Sequence, residues 1–364
     1  MTTYGSLFSG VGGLDLAVEA VVGAAPAWHS EVDPNASKVL AHHWPTVPNL
    51  GDITRIDWAQ VQPVDILCGG FPCQDISSAG RGAGIKEGTR SGLWYRYTDA
   101  VRVLRPRFVF VENVSALLVR GLDIVVGDLA SLGYVGSWLR LRASDVGAPH
   151  QRARIFLLAW PATDPDGDGF GRLEGLPGGR DEVPGHVGLD VDERGPGGGR
   201  RGGVAEGMTL LPTPTAANPN DGEDLDGWLA RRERVKESSD AGNGFGMPLS
   251  IAVRLLPTPR TSDTNGPGVH GTGGLDLRTA VSTLTNWGPY EPAIRRWEAL
   301  TRPAPSPVDE RGRLNPELPE WMMGFDAGWI TDHLTRTAAL KAAGNAVCPQ
   351  QATAAFGLLI GGKP

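Results

Sequence analysis

Short apolar runs closed by glycine or polar turns recur through the first 160 residues, and between them apolar residues return every three or four positions. Runs that are apolar at successive positions, such as Val64 to Cys68 and Phe108 to Val111, suit strands buried on both faces, as in a parallel sheet flanked by helices. The pattern predicts strands over 4–8, 64–68, 107–111, 134–141 and 155–160. It adds a second strand ending in the acid of 28–33 and a short third one before Gly51. Helices are predicted from the glycine turn after Phe8 through Val22, and over 98–104, 123–132 and 349–360. Strands alternating with helices make the fold class α/β, a doubly wound, mostly parallel sheet.

Trp160 ends this regime. Residues 161–207 are dense in Gly, Pro, Asp and Arg, with no sustained apolar period. Such a stretch buries too little surface to offset its ordering entropy, so it reads as a flexible insert. A duplication follows. Leu210-Leu211-Pro212-Thr213-Pro214 recurs as Leu255-Leu256-Pro257-Thr258-Pro259, and the stretch 246–253 recurs as 274–281. Constant ends around different interiors suggest two scaffold units holding different contact segments, with Arg231, Arg232, Arg234 and Lys236 in one and Asn265 and His270 in the other; a purely structural duplication is an equal alternative. The apolar stretch 314–325 reads as a hinge, after which the last helix returns to the sheet. The expected organisation is a discontinuous domain of 1–160 plus 334–364, the insert, and a second, smaller domain over 208–333.

Composition narrows the classes. The chain has 364 residues, 40% of them apolar, and no run long enough to span a membrane. Its first residues lack the order of a signal peptide, so a cytoplasmic protein is expected. Three cysteines, Cys68, Cys73 and Cys348, do not make a disulfide framework, and no Cys or His pair has zinc-ligand spacing, so no metal is expected. A net charge of −7 excludes a generally basic coat, which leaves any nucleic-acid contact to local arginine clusters.

The candidate chemistry centres on Gly69-Gly70-Phe71-Pro72-Cys73-Gln74. Cys73 follows a buried strand, where open α/β sheets place their ligands, behind a stiff proline and before a glycine-rich stretch. A packed turn cysteine is the plain alternative. Phe8-Ser9-Gly10-Val11-Gly12-Gly13-Leu14 joins a strand to a helix as a nucleotide-binding turn does, although Asp15 stands where the dinucleotide fingerprint has its third glycine, and an ordinary tight turn would serve equally. Glu31 and Asp52 each follow a strand and together outline an adenosine pocket, while each alone suits a surface charge or a helix cap. Glu112 emerges from an apolar strand that should raise its pKa and let it donate a proton; a helix-capping turn is the alternative. Arg152 and Arg154, two apart, should share one face of a strand and suit a phosphate or a base carbonyl, or else solvent.

These motifs, in this order, resemble those of the DNA cytosine-5 methyltransferases of bacteria and phages. The resemblance covers about 160 N-terminal and about 30 C-terminal residues, the latter through Gly344-Asn345-Ala346-Val347-Cys348-Pro349-Gln350. It implies the S-adenosylmethionine-dependent methyltransferase fold with a target-recognition domain. Cys73 becomes the nucleophile, Glu112 the acid, and Arg152 and Arg154 their catalytic support. Phe8, Gly10, Gly12, Gly13, Leu14, Glu31, Asp52, Pro72 and Asn345 would bind S-adenosyl-L-methionine, with Glu31 on the ribose and Asp52 on the adenine. Gln74, Ser77 and Arg90 would belong to the substrate loop. Ala346 departs from the serine common in the family, which puts one hydroxyl contact in question. The implied substrate is double-stranded DNA, with a cognate restriction endonuclease as a candidate partner and a monomer as the expected state. An RNA cytosine methyltransferase is the alternative, disfavoured by the long extra region. A catalytically silent DNA-binding module would be expected to lose Cys73 or Glu112, and a dehydrogenase is opposed by Asp15.

Overall fold

Side chains alternate across each strand, and that alternation sorts the core into two layers. The computed structural model describes residues 1–72, 91–162, 208–216, 225–238, 247–253, 287–311 and 313–361. Cys73, Gln74, Ser77, Arg90, the glycine-rich insert, Asn265, His270 and the second copy of the duplication lie outside the described residues. The strands are β1 (Thr3–Leu7), β2 (Ala25–Ser30), β3 (Ile66–Gly69), β4 (Phe108–Val114), β5 (Tyr134–Leu141) and β6 (Arg154–Pro161), in the sheet order β2-β1-β3-β4-β6-β5. β2, β1, β3 and β4 pair in parallel, whereas β6 runs antiparallel to both β4 and β5, so a single strand opposes the rest.

The helices of the sheet domain are α1 (Gly13–Val22), α2 (Pro34–His43), α3 (Trp94–Leu104), the single turn α4 (Leu117–Arg120) and α5 (Leu122–Ser131). Leu7, Leu67, Val109, Val111 and Leu157 face Tyr97, Val101, Val125 and Leu129 of α3 and α5. The residues out of phase with them along the strands, Tyr4, Ile66, Cys68, Phe110 and Phe156, face the opposite side, where α1 and the last helix supply Ala17, Val18, Ala355 and Phe356. The ring of Phe356 stacks on Phe110 with centroids 4.4 Å apart. Each such side chain, fully buried, contributes about 1.5–3 kcal/mol. The sheet is therefore covered on both faces, as a doubly wound fold requires.

Four local expectations are corrected. No strand precedes Gly51: Pro45 and Pro48 interrupt the chain, and Asn49 makes only an isolated bridge to His29. α3 begins at Trp94, four residues before 98, and β4 continues through Glu112 and Asn113 to Val114. Arg152 lies before β6 with φ +37°, so it does not share a strand face with Arg154.

The later described helices are α6 (Leu225–Ser238), α7 (Leu249–Ala252), α8 (Glu291–Leu300), α9 (Glu317–Met322), α10 (Arg336–Asn345) and α11 (Pro349–Gly361). A further core gathers Leu211, Leu249, Val253, Ile294, Trp297, Leu318 and Trp321, and shares them with Ala143, Ala148 and Leu340. The described part of 208–333 thus packs against the sheet domain. Leu211 and Leu249 come from the first copy of the duplication, whose constant ends are core. α11 lies along α1 and closes the second face of the sheet. Among the described residues no helix is long and apolar enough to cross a membrane.

Candidate active site

The carboxyl ends of β1, β2, β3 and β4 converge on one edge of the sheet, which is where ligands of open α/β folds sit. After β1 the chain turns at Phe8, with φ +54°, and passes through Gly10 at φ +57° and Gly12 at φ +86° into α1. The turn is fixed from β2: the Phe8 N–H donates to the Ser30 carbonyl at 2.8 Å, and the Gly10 N–H to Glu31 Oε2 at 2.8 Å. Glu31 Oε1 accepts from the Asp33 N–H at 2.7 Å. Each oxygen of Glu31 is thus anchored on one side. A Cβ on Gly10 would meet nothing within 4 Å, so the turn borders open space directly beside this carboxylate. Backbone amides at a helix N-terminus, an adjacent fixed acceptor and free volume are the set that a nucleoside needs.

Asp52 caps the short 3-10 turn Ile53–Arg55 through Oδ1, which accepts from the Thr54 N–H at 3.0 Å and its hydroxyl at 2.8 Å. Those two bonds hold its carboxyl below the usual range. Leu14 is buried in the layer with α11, which leaves only its backbone for a ligand. Asp15, the residue that breaks the dinucleotide fingerprint, is fully buried beneath the turn, where it accepts from the Ser6 hydroxyl at 3.1 Å and lies 3.3 Å from His29 Nε2.

At the neighbouring end, β3 leads through Gly70, Phe71 and Pro72 toward Cys73. A Cβ at Gly70 would stand 2.8 Å from Glu112 Oε2, so this approach runs directly over the Glu112 carboxyl. Glu112, 8% exposed, pairs through Oε1 with Arg154 Nε at 3.0 Å. Burial pushes its pKa up, against the opposing pull of Arg154 and then Arg152. Asn113, to which the sequence reading gave no role, donates from Nδ2 to the Phe71 carbonyl at 3.1 Å and pins the backbone two residues before Cys73. Its place directly after Glu112 in a strand was the available signal.

The described cysteines are chemically silent. Burial raises the Cys68 thiol well above its ordinary value, and the Cys348 thiol is pushed up to about 11. Arg152 and Arg154 turn to different partners. Arg154 faces Glu112, whereas the guanidinium of Arg152 donates to the carbonyls of Gly344, at 3.2 Å, and Ala346. Asn345, between them, ends α10 with an exposed side chain. The C-terminal segment also reaches the glycine turn directly: Trp329 Nε1 donates to the Val11 carbonyl at 2.9 Å. The loop carrying Trp329 is gathered by the fully buried Glu320, which accepts from the amides of Gly328, Ile330 and Thr331 at 3.0, 2.8 and 2.8 Å. Neither contact was anticipated, although a lone acid among the apolar residues 318–323 marks Glu320 as unusual.

Residues 2–164 match the family model for C-5 cytosine-specific DNA methylases. Type II methyltransferase M.NlaIV of Neisseria lactamica is 34% identical over 176 residues, 44% of this chain and 41% of the relative. Type II methyltransferase M.HhaI of Haemophilus parahaemolyticus is 34% identical over 158 residues, 42% of this chain and 47% of the relative. The chain therefore spans less than half the length of these two curated relatives. Among solved structures, a DNMT2 variant of Spodoptera frugiperda aligns over 99% of both chains with TM-score 0.52 and 15% identity, a likeness of fold.

Proposed function

We propose that this chain, whose residues 2–164 match the family model for C-5 cytosine-specific DNA methylases, moves a methyl group from S-adenosyl-L-methionine to carbon 5 of a cytosine flipped out of a specific site in duplex DNA. The observation that supports it most is the approach of β3 toward Cys73 over the buried Glu112–Arg154 pair. Of the three cysteines in the chain, Cys68 and Cys348 are buried with raised thiol pKa values, which leaves Cys73 as the nucleophile.

Carbon 5 of cytosine is too weak a nucleophile to be methylated unaided. The Cys73 thiolate adds to carbon 6, and the electron pair of the carbon 5–carbon 6 bond becomes available at carbon 5. Negative charge spreading to the ring is relieved at nitrogen 3 by a proton from Glu112, whose raised pKa keeps it protonated to higher pH than an ordinary carboxyl. Arg154 holds that carboxyl in place and adds positive charge beside the ring. Bound in the glycine turn with its ribose on Glu31, S-adenosyl-L-methionine would supply an electrophilic methyl group on a sulfonium. Once carbon 5 has taken the methyl, loss of its proton to a base expels the Cys73 thiolate and restores the double bond. Phe71, tied to Asn113, fixes where the nucleophile's segment leaves the sheet.

Discrimination among sites falls to residues 208–333, because groups acting on a flipped cytosine treat every cytosine alike. The two interiors of the duplication are the proposed readers. A paired restriction endonuclease is the partner suggested by the type II relatives.

The test is covalent capture on duplex DNA carrying 5-fluorocytosine, where fluorine blocks the final proton loss. The wild-type chain should form a denaturant-resistant adduct in the presence of cofactor, and Cys73→Ser should form none. Turnover near wild type in Cys73→Ser would refute the covalent route.

A further inference from the structure

The family pattern makes Arg152 a substrate-contacting catalytic group, but its surroundings point elsewhere. Arg152 is 6% exposed, and its two terminal nitrogens donate to the carbonyls of Gly344 and Ala346, at the carboxyl end of α10. A cation is favoured there, since the last carbonyls of a helix carry partial negative charge without intrahelical partners. Its backbone is held as well. Gln351 Nε2 donates to the Arg152 carbonyl at 2.9 Å, and the Arg152 N–H donates to Thr213 Oγ1 at 3.4 Å. Four contacts thus hold a non-glycine residue at φ +37°.

The turn that Arg152 holds is the one that touches the glycine turn. A Cβ on Gly13 would stand 2.1 Å from the Val347 carbonyl oxygen, so this oxygen occupies the space that Gly13 leaves open at the start of α1. A shift of the Ala346 carbonyl moves Val347, and Val347 bears on the segment that carries Gly10 and Gly12. Arg154, by contrast, is 18% exposed in its side chain and faces Glu112. The two arginines therefore serve different halves of the pocket.

We infer that Arg152 is a positioning residue for the cofactor turn, acting through the Gly344–Val347 segment rather than on the cytosine. The inference rests on the proposed S-adenosyl-L-methionine site. It is tested on the full chain by calorimetric titration with S-adenosyl-L-methionine in the absence of DNA, by hydrogen exchange of residues 344–348, and by the split between KM and kcat. Arg152→Met should raise the cofactor Kd about ten-fold, equivalent to about 1.4 kcal/mol. It should also speed exchange of that segment. Arg152→Lys keeps the charge at the helix end but not the span to two carbonyls, so its Kd should fall between Arg152→Met and wild type. At saturating cofactor kcat should stay within about a factor of three of wild type, since the change removes binding rather than a transition-state contact.

Wild-type Kd and exchange rates in both variants, with the loss carried by kcat or by KM for DNA, would make Arg152 a substrate ligand and overturn the inference. A lower melting temperature with unchanged Kd would overturn it too, by reducing Arg152 to a general support. Should Arg152→Met fail to fold, Arg152→Lys decides by the same measurements. A wild-type chain that binds no S-adenosyl-L-methionine defeats the proposed function and this inference together; an unchanged Kd in the variants defeats the inference alone.

Discussion

Replacing Gly13 with alanine sets two effects of opposite sign against each other at the junction of the glycine turn and the C-terminal segment. Gly13 opens α1, and alanine in a helix is favoured over glycine by at most about 1 kcal/mol. Against this, the new methyl would lie 2.1 Å from the Val347 oxygen, 3.0 Å from its carbonyl carbon and 3.3 Å from Phe325 Cζ. The first two are backbone atoms followed directly by buried Cys348 and α11, so they cannot swing aside as a side-chain tip would. Overpacking of this kind costs about 1–3 kcal/mol. An approach of 2.1 Å to fixed backbone puts the cost in the upper part of that range, so the clash wins, with a net loss of up to about 2 kcal/mol and a weaker cofactor site, because relief comes only by moving Val347 off the turn. Gly127, exposed within α5 with nothing within 4 Å of a Cβ, isolates the helix term. Gly127→Ala should stabilise by about 0.8–1 kcal/mol and leave cofactor binding alone. Urea unfolding of both variants, beside calorimetric titration with S-adenosyl-L-methionine, measures the contrast. Gly13→Ala as stable as wild type with unchanged cofactor affinity would refute the reasoning.

Glu31→Ala removes the acceptor of the Gly10 and Asp33 amides and should weaken cofactor binding by about 1.5–3 kcal/mol, read by calorimetry; an unchanged Kd would make Glu31 a surface acid. Because burial raises the folded-state pKa of Glu112 above its ordinary 4.5, its contribution to stability is complete below that value and is lost as pH rises through the raised one. The chemical step, which needs the protonated acid, should fall over the same upper window. Glu112→Gln should abolish that limb in both the unfolding and the single-turnover pH profiles, with a slower chemical step and cofactor affinity little changed. Leu211→Ala, deep in the core shared with Trp297 and Trp321, should cost about 2–5 kcal/mol in urea unfolding without altering the methylated sequence. Asn265 and His270 replaced by alanine should instead relax the sequence found by genome-wide methylation mapping, each lost base contact costing about 1–3 kcal/mol of discrimination.

The strands were legible because a sheet covered on both faces needs apolar residues at successive positions, and 66–69 and 108–111 carry them without interruption. The stretch before Gly51 misled because an acid directly after a glycine resembles the end of a strand, yet two prolines deny that stretch a ladder. The spacing of Arg152 and Arg154 misled for a related reason: period two holds only inside a strand, and β6 begins at the second arginine. What joins the glycine turn to the C-terminal segment was invisible. Trp329 to Val11 spans 318 positions and Arg152 to Ala346 spans 194, and both bonds end on backbone carbonyls, which no residue type announces.

These long-range bonds bear on how the chain returns to the sheet after the region between β6 and α10. Before the region, Arg154 is fixed in the sheet beside Glu112; after it, α10 is held by Arg152 and α11 lies in the core against α1. Among the described residues, these contacts join the sheet to the C-terminal helices directly. The first copy of the duplication packs against one of them. A Cβ on Gly344 would stand 2.2 Å from the Ala216 amide nitrogen and 2.2 Å from the Thr215 carbonyl carbon, and Thr213 accepts from the Arg152 amide. The constant end, through Thr213, and the two residues that follow it are therefore wedged against Arg152 and the end of α10, so this stretch serves the junction of the sheet with the C-terminal helices as well as the core.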